Sequence, residues 1–152
     1  MSEHQVAIDW ERETEAFSYQ EYSRDHLWTF AGGVKLSASA APDYLGNPNY
    51  VNPEEALVAA LSSCHMLTFL AIAARKRFVI DAYHDDAVGV LEKNAQGRFA
   101  ITRVTLRPKI AFSGEKQPTP EELKALHDQA HHGCFVANSV TTEVTVDIRS
   151  GG

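Results

Sequence analysis

An α+β fold, with antiparallel strands wrapped around one buried helix, is what three features of this 152-residue chain predict. The first is a well-started helix from Asn52 to Ala74 that carries no charge after Glu55. The second is a set of stretches before and after it in which apolar and polar residues alternate, the period of half-buried strands. The third is another capped helix followed by a last alternating stretch, so that the order reads βββ(β)–α–ββ–α–β, with three or four strands before the first helix. Strands grouped in this way, with no repeat or linker between them, describe a single α+β domain over 1–152.

Val6, Ile8 and Trp10 predict a first strand over 5–10, although the charges from Glu11 to Glu15 interrupt it. Phe17 and Tyr19 predict a second extended piece, and Ser23-Arg24-Asp25 a turn into a strand carrying His26, Trp28 and Phe30. Gly32-Gly33 turns the chain into 34–39, where Val34, Leu36 and Ala38 alternate. The result is an antiparallel meander. Ala41 to Val51 has the proline, glycine and asparagine density of a surface loop, and it ends at the cap of the central helix, where it would line the entrance to whatever that helix carries.

In that helix Asn52 is the N-cap, Pro53 fits the first helical position, and Glu55 reaches back in a variant of the capping box. Its apolar residues fill most of the circumference: Leu57, Leu61 and Leu70 lie toward one side, and Val58, Met66, Phe69 and Ile72 occupy much of the rest. A helix that is apolar all round is enclosed on several sides. It also reaches the length of about 18 uncharged residues at which a membrane span is considered. Ser62, Ser63, Cys64, His65 and Thr68 sit at mid-length, however, where hydrocarbon would penalise them. The helix is therefore read as a core element covered by sheet, or by sheet and a second subunit. A chain of this length is small for wrapping such a helix alone, which favours an oligomer. Arg75-Lys76-Arg77 suits its C-terminal end.

Ala82–Lys93 and Phe99–Phe112 flank an Asn94-Ala95-Gln96-Gly97 turn and predict a hairpin of two long strands, with Pro108 limiting its pairing or marking a bulge. Thr119 and Glu122 predict a capping box for a second helix running to about His131, whose apolar face, Leu123, Leu126 and Ala130, is narrow. Gly133 breaks it before Cys134, and Phe135–Val140 follows as one or two helical turns. Val144, Val146 and Ile148 alternate with Thr145, Asp147 and Arg149 in a last strand.

Fourteen Lys and Arg against 20 Asp and Glu give a formal charge of −6 without a dense basic cluster. Nucleic acid and anionic membranes are not the expected partners. MSEHQVAIDW shows neither a basic-then-apolar signal nor a lipidation pattern, so the expected location is the cytoplasm. The only cysteines are Cys64, followed by His65, and Cys134, preceded by His131-His132-Gly133. In a reducing compartment they are a redox pair, part of a metal site, or two inert buried thiols.

SSCHMLTF at 62–69, AHHGCFVANSV at 130–140 and the NPEE cap at 52–55 together resemble the OsmC/Ohr family of osmotically inducible and organic hydroperoxide resistance proteins. The resemblance extends over most of the chain, and the SCH context is closer to the OsmC side. It implies an intertwined homodimer with active sites where subunits meet, acting as a cysteine-based peroxidase on organic hydroperoxides and reset by an external dithiol, such as a lipoylated or thioredoxin-like protein. No bound cofactor is implied. Cys64 matches the peroxide-attacking cysteine and Cys134 the resolving one. Arg24 resembles the family's arginine facing the reactive sulfur, and Glu54 the glutamate that holds it. The family often has proline after the second cysteine, where this chain has Phe135.

The chemistry is compatible with those roles. Peroxide cleavage needs a thiolate, and a free cysteine near pKa 8.5 provides little of it at neutral pH. Cys64 lies too far along its helix to gain much from the helix dipole, so a side-chain cation is expected to stabilise it, with Arg24 the candidate. Met66, Phe69 and Phe135 lie near the cysteines in sequence and are candidates for an apolar wall. His65 is read as a core histidine. A competing reading takes His127, His131, His132 and Cys134 as ligands of zinc or another transition metal, with His127 and His131 sharing a helical face. A third is a non-catalytic small-molecule binder with inert cysteines.

Overall fold

The structure is a computed structural model in which residues 1–148 are described; Arg149, expected in the last strand, lies outside them. The chain forms two compact units, Met1–Ala56 and Leu57–Gly152.

In the first unit β1 (Val6–Asp9), β2 (His26–Phe30) and β3 (Lys35–Ala38) form an antiparallel sheet in the order β1-β2-β3. This is the expected meander with one correction: Phe17–Tyr19 is not a strand. The Glu21 and Tyr22 amides bond back to the Ser18 carbonyl in a turn. The rings of Phe17 and Tyr22 lie 5.1 Å apart, and both meet Trp10 at about 6 Å. Aromatic rings spaced for a local cluster imitate the period of a strand. The loop that follows β3 returns at Val51, which bridges Ala38 in parallel. Gly46 lies so close to Ala40 that a Cβ there would stand 1.6 Å from the Ala40 carbonyl oxygen.

Helix α1 runs from Pro53 to Arg75. The predicted cap is formed in both directions, Glu55 N–H to Asn52 Oδ1 at 2.9 Å and Asn52 N–H to Glu55 Oε1 at 3.2 Å. Helix α1 is long and apolar enough to cross a membrane, yet one row of its residues, Leu61, His65, Phe69 and Ala73, is buried in the protein. Leu67 of the same helix remains 60% exposed.

The second unit contains β4 (Val79–Asp85), β5 (Val88–Lys93), β6 (Phe99–Leu106), β7 (Pro108–Ser113), α2 (Pro120–Gly133) and β8 (Glu143–Val146). The hairpin turns where expected, but each long arm divides: β4 pairs with β7 in one sheet and β5 with β6 in another. The break falls at Asp86-Ala87 on one arm and at Arg107 on the other, next to the proline that cannot donate to a ladder. Strand β8 joins β6 in parallel, with Arg103–Leu106 beside Glu143–Val146, so this sheet is mixed. A strand that returns through an intervening helix can enter in this direction, which a tight turn does not allow. Ile148 lies beyond the end of β8.

Two apolar clusters form the core of this unit. Phe69 and Ala73 of α1 meet Phe78, Ile110 of β7, and Leu126 and Ala130 of α2. Leu61 meets Val104 and Leu106 of β6. Gly89 of β5 lets the strand approach α1, since a Cβ there would stand 2.5 Å from Val58 Cγ2. Helix α2 starts with the expected capping box between Thr119 and Glu122 and ends at Gly133, with Cys134 as its C-cap.

Candidate active site

Cys64 is half-buried at mid-length of α1, and Cys134 is buried at the end of α2. The fold brings the two free thiols close enough for each to shift the other's titration. After Cys134 the chain bends into a short 3-10 turn, Ala137–Ser139. That bend is fixed by Asn138 N–H to the Cys134 carbonyl at 3.0 Å and by the Ser139 hydroxyl to the Phe135 carbonyl at 2.8 Å. It turns successive amides toward sulfur: Ala137 N–H donates to Cys134 Sγ at 3.4 Å, and the Phe135 and Val136 backbone acts to lower the Cys64 pKa.

These donors separate the two thiols. Burial works to raise the Cys64 pKa, but the Val136 backbone, the Cys134 thiol and the Phe135 backbone outweigh it, and the net direction is downward; the Thr68 hydroxyl donates to the Cys64 carbonyl at 2.9 Å. For Cys134 burial and the neighbouring Cys64 both raise the pKa, and the Ala137 and Val136 amides do not reverse them. The pair therefore titrates with the first negative charge on the more exposed sulfur, while Cys134 keeps its proton. Such a pair has a nucleophile and a protonated partner already in contact.

Hydrogen-bond donors thus favour the Cys64 thiolate, where the sequence reading looked to a side-chain cation. Sequence reasoning missed the Phe135 and Val136 amides because a backbone donor has no residue signature. The only signal was the helix break at Gly133 followed by a short turn. Gly133 also permits a close approach, since a Cβ there would stand 3.3 Å from Thr68 Cγ2.

Arg24 and Glu54 belong to the first unit. The Arg24 guanidinium donates to the Tyr22 and Tyr19 carbonyls at 2.5 Å each and lies over the Tyr22 ring at 3.6 Å. Among the described residues it makes no ion pair with Glu54, which sits in the first turn of α1. Arg24 also lines a cavity of about 370 Å³ together with Trp10, Phe17, Tyr22, His26 and Pro53.

The histidines divide differently from the metal reading. His127 is buried, with Nδ1 3.0 Å from Nε2 of His65, whereas His131 and His132 are exposed. His127 and His131 thus do not share one environment. Among the described residues no group of three or more His, Cys, Asp or Glu side chains is arranged to hold a metal ion. Of the candidate apolar wall, Phe69 is fully buried in the core, and Phe135 is 81% exposed beside Cys134.

The sequence profile of the OsmC-like protein family matches residues 46–149. Among solved structures, the chain is similar to an OsmC-like protein of unknown function from Vibrio cholerae, with 50% identity and a TM-score of 0.94 over 98% of this chain and all of that one. It is also similar to an organic hydroperoxide resistance protein OsmC from Legionella pneumophila, at 16% identity and TM-score 0.71 over 97% of this chain and 98% of that one. The organic hydroperoxide resistance protein OhrB of Bacillus subtilis aligns at 19% identity and TM-score 0.70, with the same coverage of 97% and 98%. The last two likenesses concern the fold. No curated protein matches the sequence.

Proposed function

The chain belongs to the OsmC-like protein family, and from that premise we propose that it is a cysteine-based peroxidase that reduces organic hydroperoxides, and hydrogen peroxide with them. The observation that carries the reading is the contact between a half-buried Cys64, favoured as thiolate, and a buried Cys134 that keeps its proton. The organic hydroperoxide resistance named for the Legionella and Bacillus proteins supports the same class of substrate.

In the proposed cycle the Cys64 thiolate attacks the terminal peroxide oxygen and the O–O bond breaks. Sulfur loses two electrons, and the alkoxide takes a proton from water and leaves as the alcohol. The Cys64 sulfenic acid then condenses with the Cys134 thiol, releasing water and forming the disulfide. An external dithiol returns both cysteines to thiols by exchange and leaves as a disulfide. Arg24 and Glu54 are assigned the roles that the family resemblance implies, the arginine facing the reactive sulfur and the glutamate holding it, which requires Arg24 to leave the Tyr19 and Tyr22 carbonyls that hold it in the single chain.

We read the working form as one domain over 1–152 in a cytoplasmic homodimer. The exposure of Leu67 on the otherwise apolar α1, and of Val6 and Ile8 on β1, supports a second copy. A single-chain mass in solution would remove that part of the proposal. The reading as a whole is tested by turnover of an organic hydroperoxide with a dithiol reductant. Activity is lost in Cys64→Ser and falls in Arg24→Met, and full activity in Cys64→Ser refutes the assignment. The aromatic cavity beside Arg24 favours a second reading, a small-molecule binder with inert cysteines. Ligand binding retained by a Cys64→Ser/Cys134→Ser double variant, with no peroxide turnover by the parent protein, would favour it.

A further inference from the structure

The two helices that carry the cysteines are tied by a pair of histidines that the proposed cycle does not use. His65 follows Cys64 on α1, and His127 lies seven residues before Cys134 on α2. Their rings are nearly parallel, 8° apart in plane and 5.3 Å between centroids, with Nε2 of His65 3.0 Å from Nδ1 of His127. They are 1% and 2% exposed. Phe69 packs on the His127 ring at 4.4 Å between centroids, within a cluster that otherwise consists of Leu126, Ala130 and other apolar side chains.

Two imidazoles in such a place are a costly way to fill volume, because each must have its polar nitrogens partnered when withdrawn from water. What they add over a pair of apolar residues is direction. One ring donates and the other accepts, so the hydrogen bond fixes the separation and rotation of α2 against α1, where apolar contact alone fixes little more than proximity. A helix transmits that constraint along its length. Toward the C-terminal end of α2 the close approach continues where Gly133 faces Thr68, whose hydroxyl donates to the Cys64 carbonyl at 2.9 Å. A disulfide tolerates only a narrow range of Cα separations and dihedrals. A tie between the two helices therefore acts on how readily the bond closes.

We propose that the His65–His127 hydrogen bond is a strut that positions Cys134 against Cys64 and sets the dithiol–disulfide equilibrium of that pair. His65 and His127 are positioning residues in this account: neither touches peroxide. The proposal rests on Cys64 and Cys134 being a redox pair, but not on peroxide being the oxidant.

The test is equilibration of the full chain with dithiothreitol and its cyclic disulfide, counting free thiols by alkylation and mass. His127→Phe keeps a ring against Phe69 and removes the hydrogen bond. His127→Gln keeps a hydrogen-bonding group. The expected result is a disulfide about tenfold less favoured in His127→Phe, about 30 mV for this two-electron couple. His127→Gln recovers most of the difference, and adding His65→Phe to His127→Phe gives no further shift. A folded His127→Phe within about twofold of the parent would overturn the strut, because coupled residues are expected to deviate more than that. So would equal shifts in the Phe and Gln variants, or a parent protein that forms no Cys64–Cys134 disulfide.

A measurement that needs no variant is nitrogen NMR of the imidazoles in the reduced and disulfide forms. Coupling is reciprocal, so the His65 and His127 resonances move on oxidation, and unchanged resonances refute the proposal. If the disulfide equilibrium responds as expected while no hydroperoxide oxidises the pair, the strut stands and the peroxidase reading fails.

Discussion

Asp85 accepts the backbone N–H of Arg107 at 2.6 Å across the point where both arms of the long hairpin divide. Its other carboxylate oxygen accepts from the Ser62 hydroxyl of α1. One side chain thus closes the gap in the ladder and ties the helix to the sheets two residues before Cys64. Asp85→Ala leaves an amide and a hydroxyl without their acceptor in a half-buried place, which costs about 1–3 kcal/mol per unsatisfied group. With two such groups, each partly reached by water, urea unfolding is expected to register a loss of about 2–4 kcal/mol. Asp85→Asn, which keeps an acceptor, should lose less, and an Ala variant as stable as the parent would contradict the role.

The histidine pair gives the protein a calculable acid sensitivity. Burial is the main cause that holds His65 and His127 down to about 4 from 6.5, and each also feels a neighbouring histidine, His131 and the partner ring respectively. Asp85 and Asp128 act in the opposite direction without prevailing. Because the folded value lies below the unfolded one, the unfolded chain binds protons first as pH falls. This contribution to stability is whole above 6.5 and is lost progressively down to about 4. The slope approaches about 1.4 kcal/mol per pH unit for each histidine. Urea midpoints measured from pH 7 to pH 5 should fall in the parent and fall less in His65→Phe/His127→Phe. Parallel profiles would contradict the assignment.

Gly89 and Val58 make a third prediction. The 2.5 Å separation that a Cβ would have from Val58 Cγ2 leaves no room for a methyl group. Gly89→Ala is expected to destabilise by about 1–3 kcal/mol, the range for overpacking. Val58→Ala removes the obstructing methyl and should restore part of the loss, so that the double variant is more stable than the sum of the two changes predicts. Strict additivity would show that the contact is not what limits residue 89.

Much of this was legible in the sequence where the cause is local. The Asn52 and Thr119 capping boxes are short-range hydrogen-bonding patterns written in residue types, and both form as read. The division of the hairpin was only partly legible: Pro108 marked the place, but the sheet exchange depends on Asp85 meeting Arg107 from 22 residues away. The parallel entry of β8 follows from where α2 delivers the chain, a tertiary matter. At the site, the cysteines could be picked out by residue type. The amide donors of Phe135 and Val136 could not, because they arise from the bend of the backbone after Gly133. The His65–His127 contact, between residues 62 apart, had no local signature either.

The most direct test of the redox pair is intact mass and free-thiol count of the reduced protein after one equivalent of an organic hydroperoxide. The predicted result is loss of both thiols with a mass decrease of about two hydrogens, as disulfide formation requires. Cys64→Ser should lose neither thiol character nor mass, and Cys134→Ser should gain one oxygen at Cys64. An unchanged mass and both thiols still free in the parent protein would contradict the account at its centre.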